Sequence, residues 1–196
     1  MRLNSIFRLR SDERGLAAVE FGLIIGPLAL LMLAIFDLSY RFQAADEFER
    51  YSYQFGDILS RDDGLVAADL DTIHLAADEM MQQVDAPPEN LDIEISSIGF
   101  QADGEPVLLW RRYRGRTPLN DVPLDAARDL AGPGETVIRV EATLRYQTIV
   151  PFLPGSENLT ISRSAFFKPR VTRAISMDGD IHDAGVVWDN YTAPGV

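Results

Sequence analysis

The run Leu16–Phe36, LAAVEFGLIIGPLALLMLAIF, is twenty-one residues long and is broken by a single charge, Glu20. Wound as a helix, a run of this length spans about 31 Å, close to the ~30 Å hydrocarbon core of a bilayer. It exceeds the apolar core of a cleaved signal peptide, roughly 7–15 residues. No small-x-small triplet follows closely, because Phe42-Gln43-Ala44 puts a ring where a small residue is wanted. The run therefore predicts a retained membrane helix. Arg2, Arg8, Arg10 and Arg14 precede it, and the turns after it are mixed to acidic. The positive-inside rule then predicts a cytoplasmic N-terminus and a body on the far side of the membrane.

Charge and composition narrow the function classes. The chain of 196 residues carries a formal net charge of −12, although its first fifteen residues hold four arginines against Asp12 and Glu13. A body so acidic repels phosphate backbones, which argues against nucleic acid as a partner. Without cysteine there are no disulfides, thiolate metal sites or thiol nucleophiles. The two histidines, His74 and His182, are far apart in sequence. There is no Gly-x-Ser-x-Gly, no phosphate-binding glycine loop, and no histidine with an evident serine partner. Asp178-Gly179-Asp180 with Asp183 has the residue types of a calcium site, but lacks the twelve-residue loop with its terminal glutamate. The expectation is a protein without catalytic residues, metal or cofactor.

Helical spacing continues beyond the apolar run. Tyr40, Phe42, Phe48, Tyr51, Phe55, Ile58 and Leu59 recur with charges between them, which extends the helix to about Arg61-Asp62-Asp63-Gly64. Gly26-Pro27 lies inside it. Proline removes one backbone donor and crowds the Leu23 carbonyl, so a bend or local melting is expected there. A second helix is predicted from about Ala68 to Val84, with Leu70, Ile73, Ala77, Met80 and Val84 near one face and His74 on the solvated side; Pro87-Pro88 closes it. The period then changes to two. Leu91–Ser96 reads as a strand with one wet face, Ala102-Asp103-Gly104-Glu105 as a hairpin turn, and Val107–Tyr113 as the returning strand. A short helix is expected at Leu124–Leu130. In Thr136–Val150, Ile138, Val140, Ala142, Leu144 and Tyr146 share one face, with Arg139, Glu141, Thr143, Arg145 and Gln147 on the other. Pro151 stops that strand, Pro154-Gly155 turns the chain, and Leu159–Phe167 is a fourth strand. The fold class is α+β: a long N-terminal membrane-spanning helix, a second helix, and an antiparallel sheet of about four strands packed on the helices. The expected segments are a cytoplasmic basic leader at 1–15, the transmembrane helix at 16–36, an extracytoplasmic domain at 37–170 and an irregular tail at 171–196.

Glu20 is the anomaly in this scheme, since a carboxylate inside a bilayer segment costs free energy and marks a functional position by default. If the chain were cut after Gly15, Leu16 would gain a charged amine one helical turn from Glu20, at spacing i, i+4. A pair of opposite charges about 4 Å apart is worth about 4 kcal/mol at an effective dielectric of 20. Arg14-Gly15 followed by LAAVEF resembles a type IV prepilin-peptidase site: a glycine before the cut, a glutamate at the fifth mature position and an aromatic at the sixth, here Gly15, Glu20 and Phe21. The longer chains with this motif are the TadE-like and TadF-like minor pilins, or pseudopilins, of the tight-adherence (Flp, type IV-related) pilus. They are similar to this chain in the G-x-A-A-V-E-F helix with an internal proline, here Pro27 beside Gly26, followed by an extracytoplasmic α+β domain. Trp110-x-Arg112 in a strand and Lys168-Pro169-Arg170 near the end of the last strand also look TadE-like.

The resemblance implies cleavage between Gly15 and Leu16 by a prepilin peptidase, and packing through the helix with other pilins and the pilus assembly platform. It also implies residence in the lipid of the bacterial inner membrane, with the domain periplasmic or in the pilus at the cell surface. The alternative is an unprocessed single-pass membrane-anchored periplasmic binding or sensor domain.

Overall fold

The computed structural model describes residues 13–81, 88–116, 121–146, 148 and 159–182. Helix α1 runs from Glu13 to Ser60, 48 residues without interruption. It stays helical through Gly26-Pro27, so the local melting expected there does not occur. Strand β1 (Gly64–Leu65), helix α2 (Ala67–Met80), strands β2 (Leu91–Phe100), β3 (Pro106–Arg114), β4 (Thr136–Tyr146), β5 (Leu159–Phe167) and β6 (Ser176–Met177) follow, with 3₁₀ turns at Pro88–Asn90 and Leu124–Ala127. The chain divides into two compact units, one holding residues 13–41 and Thr148, the other residues 42–146 and 159–182. The α+β class is as the sequence predicts.

In the second unit, β2–β5 form one antiparallel sheet in the order β3-β2-β4-β5. The aromatic stripe of α1 splits. Phe48, Tyr51, Phe55 and Leu59 are buried, whereas Tyr40, Phe42 and Ile58 stay exposed. The buried set meets the sheet face made by Ile93, Ile95, Ile138, Val140, Ala142, Leu144 and Ile161. Each such side chain fully buried contributes about 1.5–3 kcal/mol. Tyr51 stacks between Phe48 and Phe55, with ring centroids 6.5 and 6.0 Å away. Helix α2 adds Leu70 and, at its end, Met81 instead of the expected Met80, which is exposed. The side chain of Ala77, and Val84 and Pro87 altogether, lie outside the described residues. His74 is half-buried, not solvated: its Nε2 lies 3.1 Å from the Leu91 carbonyl oxygen.

The β2–β3 hairpin turns at Gly104 (φ 85°), where Gln101 donates to the Glu105 carbonyl at 3.0 Å and Gly104 to the Gln101 carbonyl at 2.9 Å. The helix expected at Leu124–Leu130 is only the 3₁₀ turn Leu124–Ala127, because Arg128 turns extended and Asp129 takes a positive φ of 64°. Strand β4 ends at Tyr146, and the proposed stops at Pro151 and Pro154-Gly155 lie outside the described residues.

The region after Arg170 is not featureless. Strand β6 pairs in parallel with β1, Gly64 opposite Ser176 and Leu65 opposite Met177. Asp178 donates its backbone N–H to the Leu65 carbonyl at 2.8 Å, and its carboxylate accepts from the Ala67 N–H at 3.1 Å. That satisfies one of the orphan donors at the start of α2, while Asp69 accepts from Val66 at 2.8 Å. The acid read as a calcium ligand type is a helix cap.

Candidate functional site

The processing and packing residues named from the sequence all lie on the uncovered stretch of α1. Gly15, Leu16, Glu20 and Phe21 fall within its first turns, with Leu16 and Glu20 at i, i+4. Leu16 and Phe21 are 60 % and 66 % exposed, and the large apolar residues from Leu16 to Phe36 are exposed as a group. A Cβ added at Gly15, Gly22 or Gly26 meets no atom within 4 Å. This stretch is long and apolar enough to cross a membrane, and none of its most apolar window is buried within the protein.

The first polar residue after that stretch is not exposed. Asp37 is 5 % exposed. Its carboxylate accepts from Arg41 Nε at 2.7 Å and from Thr148 Oγ1 at 2.6 Å, and Arg41 Nη2 reaches the same hydroxyl at 3.5 Å. A helical i, i+4 acid–base pair is thus closed by a residue 111 positions away.

The sheet holds a second group that sequence reading assigned to water. All ten residues of β2 are buried, so the expected wet face does not exist. Alternation predicts that the two faces differ, and they do, but the polar face is covered by its own ion pairs. Glu94, 1 % exposed, pairs with Arg111 at 2.5 Å and with Arg139 at 3.6 Å; Arg139 also pairs with Glu141. One register step along, Asp92 pairs with Arg145 and accepts the Arg116 backbone N–H at 2.7 Å. Gly115 makes that bond reachable: at φ 132° it lies so close to Asp92 that a Cβ would collide with the carboxylate. Burial pushes the Asp92 carboxyl up, but the bonds from Arg145, the Arg116 amide and Tyr113 outweigh it and hold its pKa below the usual value. Burial pulls the Arg139 guanidinium down, with Glu94 opposing and Arg111 reinforcing. A bulge between Ser97 and Ile98 then changes the content of this face, and Ile98 and Phe100 join Val137 and Ala127 in a separate apolar cluster. Three guanidinium groups balance three carboxylates, so the cluster has no surplus charge to offer an ion and fits a role in fixing strand register.

Trp110 and Arg112 sit on the helix-facing side of β3. The Trp110 indole N–H donates to the Ile175 carbonyl at 2.8 Å, and Arg112 lies 3.5 Å from Asp178, so both tie the segment around β6 to the sheet. Lys168 pairs with Glu135 at 2.7 Å. Arg170 joins the end of β5 to the end of α1 through Asp57 at 2.7 Å and, by its backbone N–H, the Ser60 carbonyl at 2.8 Å. Among the described residues no group of three acids or histidines is placed to hold a metal; Asp183 lies outside them. The sequence marks Asp37 as the end of the apolar run and Arg139 as a residue of a polar strand face, but not the partners Arg41 and Thr148 of the one or Glu94 of the other. For Glu94 and Arg139 the signal was opposite charge on the polar faces of two strands whose register was unknown; for Asp37 and Arg41 it was the i, i+4 spacing on a helix. Compared with known protein families, curated proteins and solved structures, the chain matches none.

Proposed function

We propose that this chain is a minor pilin or pseudopilin of a tight-adherence pilus. A prepilin peptidase cuts between Gly15 and Leu16. The new amine at Leu16 pairs with Glu20, within one chain or with the next, and α1 packs in the inner membrane or pilus against the helices of other pilins. The second unit, outside the cytoplasm, works by binding and not by chemistry.

The observation that supports this best is the pairing of motif and exposure. Gly15, Leu16, Glu20 and Phe21 stand at the head of one unbroken helix whose large apolar side chains from Leu16 to Phe36 are exposed. An acid on such a helix is costly in hydrocarbon unless a partner is supplied, and cleavage supplies one at i, i+4. The test is co-expression with a prepilin peptidase and mass spectrometry of the mature N-terminus. Leu16 is expected as the first residue, and Gly15 substitution is expected to leave the unprocessed chain in membranes. Glu20→Ala is expected to be cut normally but to assemble poorly. An N-terminus unchanged by the peptidase would falsify the pilin reading and leave the anchored binding domain; normal piliation of Glu20→Ala would remove the charge pair.

A further inference from the structure

We infer that the outer edge of β5 is a docking site for an extended strand of a different protein, added to the sheet with a carboxylate opposite Arg163. β5 stands at one end of the order β3-β2-β4-β5. Its nine residues pair with β4 in unbroken register, from Leu159 opposite Tyr146 to Phe167 opposite Ile138. In an antiparallel ladder alternate residues turn their N–H and C=O groups away from the neighbour. Among the described residues no backbone group outside that ladder bonds to β5; the Arg163 guanidinium lies on the Ser162 carbonyl at 3.1 Å. Thr160, Ser162, Arg163 and Ser164 are exposed, so the edge is not covered along this stretch. Edge strands that stay unpaired carry devices against pairing: prolines, bulges, several charges. The opposite edge has them. β3 opens on Pro106, carries Arg111, Arg112 and Arg114, and meets β2 across a register shift at Ser97/Ile98. β5 has no proline, no register shift and a single charge, Arg163. A long, regular edge of this kind is what strand addition uses.

Symmetry and charge select the occupant. Two copies of β5 joined edge to edge in antiparallel fashion are related by a twofold axis perpendicular to the sheet. Phe48, Tyr51, Phe55 and Leu59 lay α1 along the face of that sheet, so the same axis turns α1 end for end. Chains anchored through α1 in one membrane all run the same way, which rules out a second β5; this step rests on the membrane anchoring in the proposed function. The strand therefore comes from another protein. Its chemistry follows from β5. From Leu159 to Arg170 there is no acid, in a chain of net charge −12. Arg163 has only the exposed Glu49 at 3.6 Å, a surface pair of little worth. Ile161, Arg163 and Ala165 share the helix-facing side, and Thr160, Ser162 and Ser164 the other. The matching strand alternates apolar residues with hydroxyls and carries an acid where it crosses Arg163.

The probe is a blocked peptide, acetyl-Thr-Val-Thr-Glu-Thr-Val-Thr-amide, titrated into the full chain in detergent micelles while amide hydrogen exchange is followed residue by residue. A second peptide has lysine in place of the glutamate. The inference expects the glutamate peptide to slow exchange at β5 saturably and to leave β3 unchanged. The lysine peptide is expected to bind at least about twofold more weakly, the scale of one cross-strand charge pair. Arg163→Glu is expected to reverse that order, and recovery of binding with the lysine peptide shows that the variant is folded. No protection at β5, equal protection at β3, or the same affinity for both peptides overturns the inference. So does protection of β5 that grows with protein concentration in the absence of peptide, since the occupant is then a second copy. Each of these results leaves the mature N-terminus, and with it the processing at Gly15, to be read separately. A chain that binds the glutamate peptide but keeps its first residues after exposure to the peptidase retains the docking edge and loses the pilus as its setting.

Discussion

Gly56 faces the ring of Phe167, and a methyl group at that position would occupy space the ring already fills. The helix can approach β5 there because the side chain is missing, and Tyr53 closes over the same ring edge-on with centroids 6.4 Å apart. Gly56→Ala forces Phe167 out of this contact. The expected cost is about 1–3 kcal/mol, the range for an overpacked site, read as a lower denaturation midpoint at unchanged slope. Gly56→Ala with Phe167→Leu is expected to recover most of it. In the sequence, a glycine inside a helical pattern reads only as a propensity penalty of about 1 kcal/mol. Nothing local to Gly56 says that a ring 111 residues later needs the space. The same holds for Gly115, whose value lies in the carboxylate of Asp92. Gly15 and Glu20 are the opposite case, since their spacing along one helix is visible in sequence.

Strands and helices were legible to the extent that one face of each was apolar. The helix-facing side of β4 is the set Ile138, Val140, Ala142, Leu144 and Tyr146 that alternation picks out, and all five are buried. The other face was not legible. Charges at Glu94, Arg139 and Glu141 describe a solvated surface equally well until register sets Ser96 opposite Arg139 and Glu94 opposite Glu141. Pairing then covers them, and removing one member leaves a buried charge with incomplete compensation. Arg139→Met alone is expected to destabilise the protein by about 3–5 kcal/mol, and Arg139→Met with Glu94→Leu by clearly less than the two single changes summed. Additive losses in urea titrations would mean the two residues act independently. The turn at Leu124–Ala127 failed as a helix for a backbone reason, the positive φ at Asp129, which an aspartate tolerates and a continuing helix does not.

At the scale of the whole molecule, acid should weaken the fold through Asp92. Its pKa is lower folded than unfolded, so it contributes stability above the unfolded value, and that contribution is lost as pH falls through the folded value. Asp92→Asn is therefore expected to be less stable than the natural chain at neutral pH and to lose less on going below about pH 4, the ordinary range of the carboxyl. Urea unfolding followed at both pH values checks this, and equal acid losses in the two proteins would contradict it. Fold class and the membrane-length helix could be read from the sequence because both follow from patterns within short windows. The closure of the second unit could not. It depends on a few residues that return from far along the chain: the Ile175 carbonyl under Trp110, the Asp178 carboxylate on Ala67, and the two-residue pairing of β6 with β1. The Asp178 and Ala67 partners are 111 residues apart. The pairing has a consequence for timing. While a ribosome is still adding residues, α1 and the first hairpin can form from what has already emerged, but the clasp on the start of α2 cannot close until Asp178 has been made. Until then the Ala67 N–H at the start of α2 lacks the acceptor that Asp178 brings, while the local cap from Asp69 to Val66 is already encoded within the helix's own first turn.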